Sequence, residues 1–145
     1  MTGEPRLAVD TSVAIPLLVA SHQAHADVAS WATGRALSLS GHALVETYSV
    51  LTRLPGDARV TPADAVQLID DNFPEHLALP SDRVAAIHRE LARHGVSGGA
   101  SYDGMVGLAA RDHGAILATR DARARSTYEA MGVLVEVIVG AEHSR

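Results

Sequence analysis

Apolar residues along this chain follow two alternating rhythms. Short unbroken runs bounded by turn residues read as buried strands, and longer stretches with apolar positions three and four apart read as amphipathic helices. Arg6–Asp10 is the first such run and reads as a strand. Thr11 and Ser12 can cap a following helix through Val13–Val19, in which Pro16 is tolerable only near the first turn. Ala24–Thr33 reads as a second helix built around Val28 and Trp31, with Gly34 stopping it. Ala36–Leu39 is a short second strand that Gly41 breaks. His42–Leu54 is helical, with Leu44, Val45, Tyr48 and Leu51 forming an apolar stripe and Pro55-Gly56 ending it. That stripe suits either a core or an interface, and core is the better reading. Thr61 caps a helix from Pro62 to Phe73, with the proline in its first turn. His76–Leu79 is a strand candidate before Pro80.

The second half continues the alternation. Ser81 caps a helix over Asp82–His94 with the stripe Val84, Ile87, Leu91, and Gly95–Gly99 is a glycine-rich loop. Ser101 caps a helix running to His113, and Asp103 falls in its first turn. Ala115–Thr119 is a buried-looking strand. Asp121 caps a last helix with Ala124, Tyr128 and Met131 facing inward, and Val133–Val139 is the final strand. Gly140–Arg145 reads as a frayed tail. Strands alternating with crossovers of helical length imply an α/β fold with a mostly parallel central sheet, in a single domain over 1–145.

Composition narrows the picture. The chain has no cysteine, so disulfides and thiolate metal sites are impossible. Its start, MTGEPRLAVD, lacks the basic patch and apolar core of a signal peptide, and no apolar run approaches the length of a membrane span. A cytoplasmic protein with no membrane partner is the expectation. All twelve basic residues are arginine. The missing lysine counts against a P-loop, a receiver domain and a haloacid-dehalogenase-type phosphatase, each of which requires one.

Four acids stand out: Asp10, Glu46, Asp103 and Asp121. All four fall where predicted strands end and helices begin, and Glu46 also lies near the apolar stripe of its helix. An open α/β sheet gathers such positions outside the carboxyl ends of its strands. Clustered carboxylates repel unless a cation holds them, and oxygen donors suit Mg²⁺ or Mn²⁺. Metal-dependent phosphodiester cleavage follows as the leading expectation. The net charge of −5 does not oppose a polyanionic substrate, because the four acids account for −4 of it. Arg120 and Arg123 are candidates for touching RNA phosphates, and Arg53 could partly neutralise the acids. Asp112, half a turn round the helix from Asp103, reads as a solvated residue. The eight histidines form no HExxH motif; His22 and His25 flank a loop–helix junction and read as solvated. No aromatic pattern for base stacking is visible, and aromatics make up 3% of the chain.

The segments VDTSV, ALVETYSVLTRLP, YDGMVGLAARDHGAILATRD and MGVLVEVI, in this order and spacing, resemble a PIN-domain ribonuclease, specifically the VapC-type toxin of a VapBC toxin–antitoxin system. The resemblance spans nearly the whole chain. It implies a PIN-like α/β/α sandwich and an RNA-cleaving hydrolase using Mg²⁺ or Mn²⁺. It further implies Asp10, Glu46, Asp103 and Asp121 as the acidic, metal-holding site, with Thr11, Ser12 and Thr119 as supporting hydroxyls. A small VapB-like antitoxin, an RNA substrate, a homodimer and a toxin–antitoxin hetero-oligomer are the implied partners. A catalytically weak module that only binds RNA or a partner is the alternative. The chain departs from the family pattern at Gly104, where a small helix former is usual, and at Ser12, where Asn is also common.

Overall fold

The computed structural model describes residues 5–139; the frayed tail expected over Gly140–Arg145 lies outside them. Five strands form the sheet: β1 (Leu7–Val9), β2 (Leu37–Ser40), β3 (His76–Leu77), β4 (Ile116–Thr119) and β5 (Val135–Val137). They lie in the order β3-β2-β1-β4-β5, and every pair is parallel. Such a sheet needs both faces covered. Eight helices cover it: α1 (Thr11–Leu18), α2 (His25–Ala32), α3 (Ala43–Thr52), α4 (Pro62–Asn72), α5 (Ser81–Ala85), α6 (Ile87–Arg93), α7 (Ala100–Asp112) and α8 (Ala122–Ala130). Helices α1 to α4 pack on one another, and α7 packs on α6 and α8. Right-handed crossovers produce this division. The chain steps outward from β1 to β3, then returns to the other side of β1 for β4 and β5, so the later helices fall on the opposite face.

The core sits between these layers. Val9, Leu39 and Leu117 from the strands are fully buried, as are Val13, Val28, Leu51 and Leu108 from the helices and Met131 just after α8. Among the described residues no helix is long and apolar enough to cross a membrane.

Several expected elements differ in detail. The helix expected over Asp82–His94 is two helices, because Ala86 leaves helical geometry at φ −111° and ψ 12°. The last strand keeps only Val135–Val137 of the expected Val133–Val139, since the sheet pairs no more of it. Helix α1 runs through Pro16, which is buried well past the first turn. The Leu44–Leu51 stripe is only partly core. Leu51 is fully buried, but Val45 is 54% exposed and lines an open apolar groove of about 280 Å³ with Leu44, Tyr48 and Val66. Asp112 is not a free solvated acid: it accepts from Arg83 Nε at 2.9 Å and pairs with Arg111. Both arginines also reach Glu90, a buried carboxylate that Arg93 contacts as well. Those guanidiniums, Arg111 foremost, hold the Glu90 carboxyl below its ordinary pKa despite burial. Gly104, where the family pattern has a small helix former, has a packing role. A Cβ there would lie 2.4 Å from Leu91 Cδ2, so the glycine lets α6 pack closely on α7.

Gly41 sits at the turn from β2 to α3 with φ +53°, and a Cβ there would lie 2.9 Å from Ala109 Cβ and 3.1 Å from the Met105 carbonyl. Gly34 has φ +77° with nothing within 4 Å. Gly34→Ala should cost about 1 kcal/mol, the backbone penalty alone. Gly41→Ala adds overpacking and should cost about 2–4 kcal/mol. Urea denaturation of both variants checks this; equal losses would show that the α7 contact carries no weight.

Candidate active site

The order of the strands creates a crevice. β1 lies between β2 and β4, and the chain reverses its direction of travel across the sheet there, which is where open α/β sheets hold ligands. Asp10 follows β1 and Thr119 ends β4, so these two residues face each other across the crevice.

Asp10 stands at the N-cap position of α1, yet its side chain makes no cap. The carboxylate instead turns inward, 5% exposed. Ser12 Oγ donates to Oδ1 at 2.6 Å. Thr119 Oγ1 donates to Oδ2 at 2.6 Å, and the Tyr128 hydroxyl donates to the same oxygen at 2.7 Å. A carboxylate removed from water is costly unless its oxygens are bonded, and here hydroxyls from α1, β4 and α8 supply the bonds. The clamp extends outward. Ser12 Oγ accepts from the Arg120 amide at 2.8 Å, and Thr119 Oγ1 accepts from the Asp121 amide at 3.1 Å.

Asp121 is placed differently. It is exposed and caps α8, its Oδ1 accepting from the amides of Arg123 and Ala124. Glu46 lies in the first turn of α3, and Thr11 Oγ1 donates to its Oε1 at 3.4 Å. Asp103 lies in the first turn of α7 and is half-buried. Each of the four acids therefore stands at the start of a helix, where the backbone dipole favours negative charge.

Asp103 reveals that the four share a field. Its carboxyl is pushed up to about 6, first by burial and then by the negative charges of Glu46, Asp121 and Asp10. Arg123 acts in the opposite direction and so lies within electrostatic reach. Arg120 is exposed and its charge is felt by His22. Arg53 turns to Ser49 Oγ at 2.7 Å rather than toward the acids. His22 and His25 are half-buried rather than solvated, each with Nδ1 bonded to backbone of the loop or of α1.

Tyr128 is the residue that sequence reasoning missed. Its i, i+4, i+7 position marked it as core, and the ring is indeed buried. Burial of a tyrosine also demands a partner for its hydroxyl, and here the partner is Asp10. Burial and that neighbouring carboxylate push the Tyr128 hydroxyl far above its ordinary pKa, so it remains a donor.

The donor set is carboxylate and hydroxyl oxygen, which suits a hard divalent cation. Among the described residues no three Asp, Glu or His side chains cluster tightly enough to hold an ion by themselves. A cation of the Mg²⁺ kind takes one or two carboxylates and completes its shell with water and phosphate oxygens. Asp10 and Asp103 could supply those carboxylates, with Glu46 and Asp121 acting directly or through water.

The chain is similar to known proteins at three levels. The PIN domain family model matches residues 7–130. The chain is 56% identical to "Ribonuclease VapC27" of Mycobacterium tuberculosis over 92% of its own length and 98% of that protein. It is 44% identical to "Ribonuclease VapC40" of the same species, over 91% and 98% respectively. Among solved structures, FitAB bound to an IR36 DNA fragment superposes with a TM-score of 0.70 at 22% identity, covering 96% of this chain and 99% of the other. DNA-bound VapBC from Salmonella typhimurium does so at 0.64 and 20% identity, covering 94% and 100%. These structural likenesses establish the α/β/α fold, and the family match together with the sequence identity establishes the lineage. The chain belongs to the PIN domain family, within its VapC group.

Proposed function

We propose that this protein is the toxin of a type II toxin–antitoxin pair and a ribonuclease that hydrolyses RNA phosphodiester bonds with a divalent ion, Mg²⁺ or Mn²⁺. The observation that carries the reading is the position of the four acids, each at the start of a separate helix and near enough that, after burial, the charges of Glu46, Asp121 and Asp10 raise the Asp103 carboxyl to about 6. Repulsion of this kind has no structural benefit, but a bound cation relieves it. The relatives named as ribonucleases support the same chemistry.

When bound, the ion lowers the pKa of a water molecule and offsets charge developing on the phosphate. Asp10 and Asp103 hold it in this reading, and Glu46 and Asp121 do so directly or through water. Ser12, Thr119 and Tyr128 fix the orientation of Asp10, while Thr11 steadies Glu46. Arg123 and Arg120 stand beside the acids to meet RNA phosphates. A small VapB-like antitoxin would pair with the toxin, which would itself dimerise. The structural relatives solved as VapBC and FitAB complexes support that assembly.

Cleavage by activated water leaves a 5′-phosphate and a 3′-hydroxyl. End-labelling of the products checks this, and a 2′,3′-cyclic phosphate would contradict it. Asp103→Ala should abolish metal-dependent cleavage; full activity would remove Asp103 from the site, and a wild type that cuts no RNA with either ion would leave only a binding module.

Tyr128→Phe keeps the ring and removes the donor to Asp10. It should cost about 1–2 kcal/mol of stability and slow cleavage without altering product ends. Unchanged kinetics would deny Tyr128 a positioning role.

The metal-free protein should show a distinct pH dependence. The folded-state pKa of Asp103 lies above its ordinary 3.8, so ionisation penalises the folded state more than the unfolded one. Stability is therefore lost as pH rises from about 4 through about 6. In EDTA, Asp103→Asn should match the wild type below that window and exceed it above by about 1–2 kcal/mol, after allowance for solvent screening. Asp10→Asn should instead destabilise, because an amide cannot accept all three hydroxyl bonds. Thermal melts across the window test both signs, and a pH-independent Asp103→Asn difference would refute the shared field.

A further inference from the structure

Tyr102 directly precedes Asp103, and its side chain is 55% exposed. His42 stands one helical turn before Glu46, at the N-cap of α3. The two rings stack with centroids 5.2 Å apart and planes inclined by 29°. Thus the same pair of helix starts that brings Glu46 within the field of Asp103 also brings His42 onto Tyr102. The site and the ring pair share one rigid frame.

Beside His42 lies a small hollow of about 130 Å³, lined by His42, His76, Leu79, Val84 and Met105. A cavity of roughly 150 Å³ admits one six-membered aromatic ring, so this hollow is of single-base dimensions. Its walls combine apolar side chains with two imidazoles. A nucleobase offers the matching combination: an apolar face and hydrogen-bonding edges.

We propose that the Tyr102–His42 pair and this adjoining hollow form a platform for one unpaired nucleobase of the RNA, seated beside the phosphate to be cleaved. The identity of the strand rests on the ribonuclease reading above. Stacking on an exposed aromatic face is open to every base, and the hydrogen-bonding groups of His42 and His76 provide discrimination at the base edge. The substrate class follows: single-stranded or looped RNA, in which a base is free to leave its neighbours. A continuous duplex would keep that base paired and away from the rings. The low aromatic content of the chain hid the feature, because its two members are far apart in sequence and meet only where His42 and Tyr102 stack in the folded chain.

The test uses fluorescence anisotropy, with Ca²⁺ replacing Mg²⁺ to slow cleavage. The probes are short single-stranded RNAs of mixed sequence and strands of equal length carrying abasic spacers in place of nucleosides. Wild type should prefer RNA to the spacer strand by about tenfold or more. Tyr102→Ala and Tyr102→Leu should lose most of that preference, Tyr102→Phe should keep it, and His42→Ala should lose part of it. The leucine variant preserves apolar bulk without a ring face, separating stacking from packing. Equal wild-type affinity for both strands overturns the proposal, as does an undiminished preference in Tyr102→Ala. A wild type that shows the preference but cuts no RNA with Mg²⁺ or Mn²⁺ supports the platform and removes the ribonuclease reading instead.

Discussion

The Asp10 carboxylate is the point on which this structure turns. It is buried at the place where the sheet changes direction, and three hydroxyls from three different elements converge on it. An ionised carboxylate deprived of water must be compensated by hydrogen bonds, and the cost of leaving it bare exceeds that of most other local arrangements. The requirement therefore constrains the relative positions of β1, β4, α1 and α8. It also propagates: Thr119 bonds the Asp121 amide and Ser12 bonds the Arg120 amide, so the loop after β4 is anchored to the same carboxylate. The acid that would hold an ion is thereby also the fastening that shapes its surroundings.

The acids divide the work. Asp10 is fixed from both oxygens, and Asp121 is committed in part to capping α8. Asp103 is pushed upward first by its partial burial and then by the other three acids. Compensation is thus concentrated on one acid and withheld from another. In an ordinary core such an arrangement would be a defect, because like charges held together oppose folding. It makes sense where an external cation completes the balance, and the folded protein accepts the repulsion in its absence.

Much of this was legible in sequence because it depends on local signals. Strand ends, helix starts and the caps at Thr61 and Asp121 follow from residue type and spacing, and both caps bond as expected. The parallel sheet follows from alternating periods. What escaped depends on which elements meet. Tyr128 carries a core residue's spacing, and nothing in that spacing shows that its hydroxyl ends at Asp10. Asp112 looked solvated because its arginine partner Arg83 lies on another helix. The break at Ala86 has no glycine or proline to announce it. Helix propensity is a weak signal that tertiary packing overrides.

The four helix starts explain why this scaffold tolerates so many acids in one place. A carboxylate at a helix N-terminus meets amide hydrogens and the positive end of the backbone dipole, worth about 0.3–1 kcal/mol at each end. The parallel topology aligns three of the four ends: β1, β2 and β4 deliver the chain to the same edge of the sheet and α1, α3 and α8 begin there, while α7 reaches that edge only after α5 and α6. An antiparallel sheet would have sent alternate helix starts to opposite edges. The same alignment carries the residues beside the acids, and so places the ring pair of His42 and Tyr102 next to Glu46 and Asp103. Asp10, Glu46, Asp121 and the hydroxyls of Ser12 and Thr119 reach the crevice because they lie close to the ends of β1, β2 and β4, whereas Tyr102 and Asp103 arrive on α7, two helices after β3.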